Sequence, residues 1–395
     1  MSGINGSEAN FLDDFVRPKR LLLRPSVLTI LASYRCTAAC EHCCFDSNPH
    51  ITQRLSLAEI TTFIREAVNS SDIELVVFSG GECFLLGEDL NQAIGYCRTL
   101  GLRTRCVTNA YWAKSAIGGR RRLEKLRADG LNELNISTGD FHQEFVPLDA
   151  VINAASCSVK LGLDQTLIVV EVQKNRATTA DVLRKHPRIA EFVTLGEDKF
   201  KIIESPWIST SLDVAIPQPD AYLLNRQNVH LRGPCGSMFR TLVLTPSRKV
   251  GLCCGLTREQ IPEMNHSWQE NGLETVLDDG GRDFMKIWIT VDGPERILAW
   301  AASKNSSIDW ENKYSHHCQV CLALYADEKV RNTIREHYKE RVEDVLMRYC
   351  MLVRYAENHS PDSVDSAHSV LRMHSSAEPL SLPSTMVQIS TQKGI

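Results

Sequence analysis

Short apolar runs and amphipathic runs alternate along the first half of the chain. Amphipathic runs near 57–68, 88–99, 117–128, 148–160 and 178–186 predict helices. Between them, uniformly apolar runs of strand length predict strands that are covered on both faces: residues 26–33, 73–79, 103–108, 131–137, 165–172 and 200–205. Strands that alternate with helices predict βαβ units and a parallel sheet, so the predicted fold class is α/β.

Six such units form either a doubly wound sheet or an incomplete barrel, and periodicity alone does not distinguish the two. The first predicted helix has a clear start, because "SLAE" places Ser56 and Glu59 at capping-box spacing. After about residue 210, Pro, Gly and polar residues increase, which indicates a second, irregular domain. The predicted segments are a lead-in (1–24), the β/α core (25–210) and the irregular domain (211–326). One long amphipathic helix (327–357) and a disordered Ser/Pro-rich tail (358–395) follow.

Composition and charge restrict the class of partner. The 395 residues carry a net charge of −4, so a broad basic surface for nucleic acid is not expected. No apolar run approaches the ~20 residues that span a bilayer, and the first 15 residues lack the features of a secretion signal. We therefore expect a cytoplasmic protein, in which clustered cysteines indicate metal binding or catalysis more often than disulfides.

Four of the fourteen cysteines fall within nine positions of "SYRCTAACEHCCFDS", directly after the first predicted strand. Cys36, Cys40 and Cys43 have the spacing C-x3-C-x2-C, whereas a structural zinc site usually takes four ligands as two pairs. A cubane iron–sulfur cluster held by three cysteines leaves one iron open for reaction. Cys44 is adjacent to Cys43, so we interpret it as a packed thiol and not as a fourth ligand.

This motif, placed after the first strand of a six-fold β/α series, resembles the signature of the radical S-adenosylmethionine (radical SAM) enzymes. The resemblance implies a partial (β/α)6 TIM-type barrel. It also implies a [4Fe–4S] cluster on Cys36, Cys40 and Cys43, whose open iron binds S-adenosylmethionine. One electron then releases a 5′-deoxyadenosyl radical, which abstracts hydrogen from the substrate. His42 stands in the place of the aromatic residue that precedes the third cysteine and is expected to contact the adenine.

Further residues are expected in the cofactor site because they follow successive strands. "FSGGECF" resembles the Gly-Gly-Glu motif that holds the methionine ammonium, and "VTNA" resembles a Thr-Asn-Gly segment, with Ala110 in place of the glycine. Asp140 and His142 are expected either to orient substrate or exchange a proton, or equally to form an ordinary loop network. Glu171 is a weaker candidate. The predicted cofactor-binding residues are His42, Gly80, Gly81, Glu82, Asn109, Ser137 and Asp140.

A second group of cysteines lies in the irregular region. The spacing Cys318-x2-Cys321 is typical of a metal-chelating pair, and a distant pair of cysteines would complete a set of four thiolates. Zinc and [4Fe–4S] both fit this spacing. The hairpin "RTLVLTPSRKVGLCC" followed by "CQVC" resembles the SPASM/twitch extension of radical SAM enzymes, although its turn lacks the usual glycine. We expect one auxiliary [4Fe–4S] cluster on Cys235, Cys253, Cys318 and Cys321, with Cys254 as the alternative to Cys253. The remaining five cysteines are expected to be buried thiols: Cys83, Cys97, Cys106, Cys157 and Cys350.

The resemblance implies an oxidoreductase that modifies a ribosomally made peptide by crosslinking, thioether formation, epimerisation or side-chain oxidation. The auxiliary cluster would then accept the electron that the substrate radical loses. A flavodoxin or ferredoxin would supply the first electron. A separate leader-binding protein or direct docking of the peptide is implied, because only about 25 residues precede the first strand. The alternatives are a radical dehydrogenase or rearrangement enzyme for a small molecule, and a non-catalytic iron–sulfur or zinc sensor.

Overall fold

A computed structural model describes residues 24–206, 217–255 and 258–358. Six parallel strands, each pairing with the next along the chain, form most of one sheet: β1 (Val27–Leu31), β2 (Leu75–Ser79), β3 (Arg103–Thr108), β4 (Glu133–Thr138), β5 (Gln165–Val172) and β6 (Phe200–Pro206). This sequential order is that of a barrel wall, since a doubly wound sheet reverses its order at a switch point. The sheet stays open, because β6 forms one edge. The predicted α/β class and partial barrel are therefore confirmed.

Helices connect these strands at the positions that the amphipathic runs predict. The capping box of α1 is present, with the Ser56 amide donating to Glu59 Oε2 at 2.8 Å and the Glu59 amide donating to Ser56 Oγ at 3.2 Å. The predicted helix at 178–186 is shorter than expected and is followed by a second short helix. The helices of this half are α1 (Leu57–Ser70), α2 (Glu88–Thr99), α3 (Ala116–Asp129), α4 (Asp140–Gln143), α5 (Leu148–Lys160), α6 (Ala180–Arg184) and α7 (Ala190–Val193).

The hairpin of the C-terminal region continues the same sheet. β7 (Thr241–Leu244) pairs in parallel with β1, and β8 (Lys249–Gly251) and β9 (His266–Ser267) follow in antiparallel order. In the hairpin turn, Arg248 adopts a φ of 60°, the left-handed conformation that glycine usually takes. Its guanidinium donates to Glu59 at 2.6 Å, so the same side chain also fastens the hairpin to α1.

The remaining helices pack behind this hairpin. The segment predicted as one long helix consists of two helices, separated at Tyr338. The helices are α8 (Trp268–Asn271), α9 (Leu273–Gly281), α10 (Phe284–Asp292), α11 (Pro294–Lys304), α12 (His317–Ala326), α13 (Glu328–His337) and α14 (Lys339–Asn358). The predicted lead-in up to residue 23, the domain boundary near 210 and the tail from 359 lie outside the described residues.

One buried apolar core joins the sheet to the helices on its outer face. Leu28 and Ile30 of β1, Phe78 of β2 and Phe63 of α1 are fully buried and belong to it. Because the strand interiors are occupied by such side chains, the polar residues discussed below are placed at strand ends and in the loops that follow them.

Candidate active site

The first cysteine loop begins where β1 ends and is shaped by backbone hydrogen bonds. The Cys36 amide donates to the carbonyl of Asn48 at 3.1 Å, and the Cys43 amide donates to the carbonyl of Cys40 at 3.0 Å. The second bond closes a tight turn between two of the predicted ligands. Cys36 is buried, whereas Cys40 and Cys43 are half-buried.

N–H groups point at two of the three sulfur atoms. The amides of Ala38 and Ser47 donate to Cys36 Sγ and Cys43 Sγ respectively, each at 3.4 Å. The Asn109 side-chain amide, which follows β3, donates to Cys36 Sγ at 3.5 Å. Donors of this kind stabilise thiolate sulfur and tune the metal that it binds.

Burial and neighbouring charges raise the pKa values of the Cys36 and Cys40 thiols. Burial, with the charges of Glu82 and Cys43, raises the pKa of Cys36 to about 11. Burial, with the charges of Cys43, Cys36 and Glu171, raises the pKa of Cys40 to about 12. A metal centre is the natural counter-charge for such a loop, because metal binding requires and stabilises the thiolate.

The Gly80-Gly81 turn lies directly against the strand-like start of the cysteine loop. The Gly81 amide donates to the carbonyl of Ser33 at 2.7 Å, and the Glu82 amide donates to the carbonyl of Arg35 at 2.9 Å. A Cβ at Gly80 would lie 2.3 Å from the Ser33 oxygen, and one at Gly81 would lie 2.3 Å from the Arg35 oxygen. The glycines are needed for this backbone contact with the cysteine loop, a role that their sequence context does not reveal.

The Glu82 carboxylate is buried and links two neighbouring loops. It accepts hydrogen bonds from the Phe84 amide at 3.0 Å, the Thr108 hydroxyl at 2.8 Å and the Asn109 amide at 2.8 Å. Burial nevertheless raises the pKa of Glu82 to about 7. A cation close to this carboxylate would favour its ionised form, which is the chemistry of an ammonium contact.

Asn109 joins the end of β3 to the cysteine loop. Its side-chain amide also donates to Thr37 Oγ1 at 3.2 Å, and its side-chain oxygen accepts the Tyr111 amide at 3.0 Å. Ala110, which replaces the expected glycine, adopts the left-handed φ of 66° and is fully buried. The local backbone therefore keeps the conformation that the resemblance implies, without the glycine.

His42 lies in a group of ring and carboxylate side chains. Its ring centroid is 4.4 Å from that of Phe141, and its Nε2 is 3.4 Å from Glu171 Oε2. Burial, together with the nearby His142, lowers the pKa of His42 to about 3, so this imidazole is neutral. Glu171 also accepts the Phe141 amide at 2.7 Å and lies 3.2 Å from His142 Nδ1.

Asp140 and Ser137 are placed at the same end of the sheet. Both Asp140 oxygens accept backbone N–H groups of the loop after β5, from Ala177 at 2.7 Å and Thr178 at 2.9 Å. Asp140 therefore takes part in a loop network, one of the two expectations for this residue. Ser137, half-buried near the end of β4, remains a predicted contact.

The second cysteine set forms a separate group. Burial and the nearby charge of Cys253 both raise the pKa values of three thiols, those of Cys235, Cys254 and Cys321. The pKa of Cys235 rises to about 11. The Cys254 thiol donates to Ser237 Oγ at 3.0 Å. Cys318 and Cys321 both lie on α12, whose N-cap His316 accepts the Cys318 amide at 3.1 Å.

Tetrahedral zinc–thiolate bonds of about 2.3 Å place the sulfur atoms about 3.8 Å apart. Among the described residues, the one group of three metal-ligating side chains whose ligand atoms lie within 4.8 Å of one another is His42, His142 and Glu171. Among the described residues, no three sulfur atoms of either cysteine set form such a group.

Residues 30–160 match the Radical SAM superfamily. This chain carries a radical SAM domain. The matched segment contains the three-cysteine loop, the Gly-Gly-Glu turn and Asn109.

The curated relatives of this chain match only part of it. YydG of Bacillus subtilis (strain 168), named for peptide biosynthesis, is 26% identical over 152 residues, which are 38% of this chain and 46% of YydG. A PqqA peptide cyclase of Xanthomonas oryzae pv. oryzae (strain MAFF 311018) is 30% identical over 122 residues, 29% of this chain and 30% of the cyclase. The chain thus spans less than half the length of either relative.

Solved structures resemble this chain at low identity. Streptococcus suis SuiB, bound to its precursor peptide SuiA, gives a TM-score of 0.41 at 15% identity, with 68% of each chain covered. A structure of anSMEcpe, with bound AdoMet and a peptide, gives a TM-score of 0.47 at 12% identity, covering 82% of this chain and 99% of that one.

None of the helices in the described part of this chain has both the length and the apolar character of a bilayer span.

The predicted residues of the radical SAM domain fall at one end of the sheet. Hydrogen bonds bring Cys36, Glu82 and Asn109 together, while His42 and Asp140 belong to networks beside them. The cysteine loop fits an iron–sulfur cluster, because it offers three soft thiolate ligands with N–H donors to two of the sulfurs. Three of the five scattered cysteines are buried as expected, but Cys157 and Cys350 are half-buried.

Glu171 makes more contacts in the site than a weaker candidate would, and Phe141 is a neighbour that the sequence does not single out. The signal for Glu171 was present, since it is a carboxylate inside the apolar run "QTLIVVEV". A charged residue in a strand that is covered on both faces needs a specific partner. Phe141 carries no comparable signal, because aromatic residues are ordinary in such elements.

Proposed function

We propose that this protein is a radical SAM oxidoreductase that modifies a peptide substrate. The observation that carries the proposal is the contact between three elements: the Cys36/Cys40/Cys43 loop, the Gly80-Gly81-Glu82 turn and Asn109. Hydrogen bonds join all three at the carboxyl end of a parallel sheet, where ligands of such folds bind. The partial relatives YydG and PqqA peptide cyclase, both named for peptide chemistry, support the substrate class.

Cys36, Cys40 and Cys43 would hold the [4Fe–4S] cluster, and Glu82 with the Gly80-Gly81 backbone would hold S-adenosylmethionine. When bound, these groups supply the electron and the 5′-deoxyadenosyl radical that removes hydrogen from the substrate. The chain's own contribution is to fix the geometry. The backbone bonds between Gly81 and Ser33, and between Glu82 and Arg35, hold the ammonium site at a constant distance from the cysteines.

Neighbouring residues complete the proposed cofactor site. His42 would contact the adenine with its ring, which the Phe141 ring packs against. Ser137 would contact the ribose or carboxylate. Asp140 would act through the loop after β5, whose amides it binds. Asn109 would keep the Cys36 sulfur hydrogen-bonded and less basic.

Cys235, Cys253, Cys318 and Cys321 would hold one auxiliary [4Fe–4S] cluster, which serves to accept an electron in a net oxidation. The contact of Cys254 with Ser237 Oγ supports Cys253 as the ligand of the adjacent pair. An electron donor such as flavodoxin or ferredoxin and a separate leader-binding protein are the proposed partners. None of the fourteen cysteines, all of which lie among the described residues, forms a disulfide, and a cytoplasmic location is part of the proposal.

Formation of 5′-deoxyadenosine tests the radical chemistry. The protein is reconstituted anaerobically with iron and sulfide, reduced with dithionite and supplied with S-adenosylmethionine. We expect 5′-deoxyadenosine from the wild type and none from the Cys36→Ala variant. An iron-loaded wild type that makes no 5′-deoxyadenosine would rule out the enzyme proposal and favour a redox sensor.

Iron counting tests the two-cluster arrangement. Replacing Cys36, Cys40 and Cys43 by Ala is expected to remove about four of roughly eight irons. Loss of all the iron, or of none, would contradict two independent clusters.

Incubation with the peptides encoded beside the gene tests the substrate class, by mass change in water and by deuterium uptake in heavy water. Turnover of a small molecule in the absence of any peptide would support the alternative substrate class.

A further inference from the structure

A second possible metal site lies beside the cysteine loop. His42 comes from the loop after β1, His142 from the short helix after β4, and Glu171 from β5. Glu171 Oε2 is 3.2 Å from His142 Nδ1 and 3.4 Å from His42 Nε2. The three ligand atoms all lie within 4.8 Å of one another. His42 and Glu171 are buried, and His142 is 9% exposed.

The donor set is one that divalent transition metals prefer. Two imidazole nitrogens and one carboxylate oxygen form the His2Glu set of catalytic zinc sites and the facial triad of non-haem iron(II). Bonds of about 2.1 Å place neighbouring ligand atoms about 3.0 to 3.4 Å apart in octahedral or tetrahedral geometry. The two distances to Glu171 Oε2 fall in this range, and the longer one exceeds the normal length of a hydrogen bond.

The charge of the group also calls for a cation. Glu171 is fully buried, and among the described residues its ion pairs are with the two histidines, with no Lys or Arg within 4.0 Å. A buried carboxylate is costly unless it is paired with a positive charge. A divalent ion between neutral imidazoles and this carboxylate would supply that charge.

The surrounding backbone is fitted to the carboxylate. A Cβ at Gly139 would lie 2.0 Å from Glu171 Cγ and 2.6 Å from Glu171 Oε2, and the φ of Gly139 is 151°. The Phe141 amide holds the other carboxylate oxygen, Oε1, at 2.7 Å. Oε2 is thereby directed to the two histidines, as a monodentate metal ligand requires.

We propose that His42, His142 and Glu171 bind one divalent transition-metal cation, separate from both cysteine sets. The ion joins the loops that follow β1 and β4 to strand β5. Coordination through Nε2, which lies in the plane of the His42 ring, is compatible with stacking on the face of that ring. The site does not depend on the proposed peptide chemistry.

Zinc titration of the holoenzyme tests this site. Iron-replete protein is titrated anaerobically with Zn2+ against a chromophoric chelator. We expect the wild type to bind one more Zn2+ with high affinity than the Glu171→Gln and His142→Gln variants. Loss of a direct ligand is expected to weaken binding by at least about 100-fold, since loss of an outer partner alone costs about 10- to 100-fold.

Asp140→Asn is the matched control, because Asp140 binds the same group of loops without belonging to the three ligands. It is expected to keep the wild-type zinc stoichiometry. Iron content and circular dichroism identify a variant that fails to fold. If Glu171→Gln fails, the His142→Gln variant, at a less buried ligand, decides. Equal zinc binding by the wild type and the folded variants overturns the proposal. Formation of 5′-deoxyadenosine is measured on the same samples, so that failure of the zinc site and failure of the radical chemistry are distinguishable.

Discussion

At the scale of single residues, Asn109 links the cysteine loop to Glu82 of the Gly-Gly-Glu turn. Its backbone amide donates to Glu82, its side-chain amide donates to Cys36 Sγ and Thr37, and its side-chain oxygen accepts the Tyr111 amide. Few residue types offer donors and an acceptor on one short, rigid side chain. The residue therefore acts on the cysteine loop and on the proposed ammonium site at once.

Asn109→Ala is expected to release iron to a chelator about 10-fold faster than the wild type, because Cys36 Sγ loses a donor. The free energy of unfolding is expected to fall by about 1 to 2 kcal/mol, from the lost hydrogen bonds. Iron release is followed by the absorbance of a ferrous chelator, and stability by thermal unfolding.

Asn91→Ala is the control for Asn109→Ala. Asn91 is equally buried, but it contacts Arg122 at 2.6 Å on α3 and makes no contact with the cysteine loop among its described hydrogen bonds. It is expected to lose stability without a change in the rate of iron release. Equal release rates from the two variants would show that Asn109 has no specific effect on the loop.

Chemically distinctive residues were predictable from the sequence, whereas their hydrogen-bond partners were not. The cysteine spacing, the Gly-Gly-Glu turn and Asn109 follow successive strands, so a parallel sheet brings them to one edge. Asp140 shows what local patterns leave open: its two partners, Ala177 and Thr178, lie more than 35 positions away. Such pairings depend on loop shape, which the spacing of residue types does not encode.

At the scale of elements, the Gly80-Gly81 turn and the start of the cysteine loop pack with almost no space between their backbones. Gly81→Ala places a Cβ 2.3 Å from the Arg35 oxygen and 2.7 Å from the Tyr34 oxygen. The two segments must separate, which weakens the hydrogen bonds of Gly81 and Glu82. We expect a loss of about 2 to 4 kcal/mol in unfolding free energy, measured by denaturant titration, together with weaker S-adenosylmethionine binding.

Gly95→Ala provides the matched control on α2. A Cβ at Gly95 meets no atom within 4 Å, and alanine is a better helix former than glycine by up to about 1 kcal/mol. This variant is expected to be at least as stable as the wild type and to bind S-adenosylmethionine normally. If Gly81→Ala behaved in the same way, close contact would not be the reason for glycine at this turn.

The strands and the helices of the first half were predictable because their period and length are local properties. The partner of β7 was not, since an apolar run indicates a strand without indicating which strand it pairs with. The break between α13 and α14 at Tyr338 also carries no Gly or Pro signal. Arg248 takes a left-handed turn position without glycine, where its contact with Glu59 offsets the strain.

At the scale of the whole molecule, the C-terminal region is fastened to the barrel by polar contacts as well as by the shared sheet. Trp268 Nε1 donates to Glu66 on α1 at 2.7 Å, and the Tyr34 hydroxyl donates to Glu259 at 2.6 Å. With β7 paired to β1, these contacts predict that the two regions unfold together.

Far-UV circular dichroism and tryptophan fluorescence of the apoprotein are expected to give coincident thermal transitions. Four of the six tryptophans lie at 268, 288, 300 and 310, so fluorescence reports mainly on the C-terminal region. Trp268→Phe keeps an aromatic ring against Phe63 and removes the hydrogen bond of Trp268. This change is expected to lower the free energy of unfolding by about 1 kcal/mol within a single transition. Two separated transitions in the wild type would instead indicate independent domains.

The pairing of β1 with β2 on one side and β7 on the other makes the first strand of the barrel an interior strand. A chain shortened to end at Pro206 would expose one long side of Val27–Leu31, with its unsatisfied N–H and C=O groups between the apolar side chains of Leu28 and Ile30. Such an edge is a template for intermolecular pairing. We therefore expect the isolated β/α core to self-associate, so the radical SAM domain of this protein cannot be cut out as a well-behaved fragment.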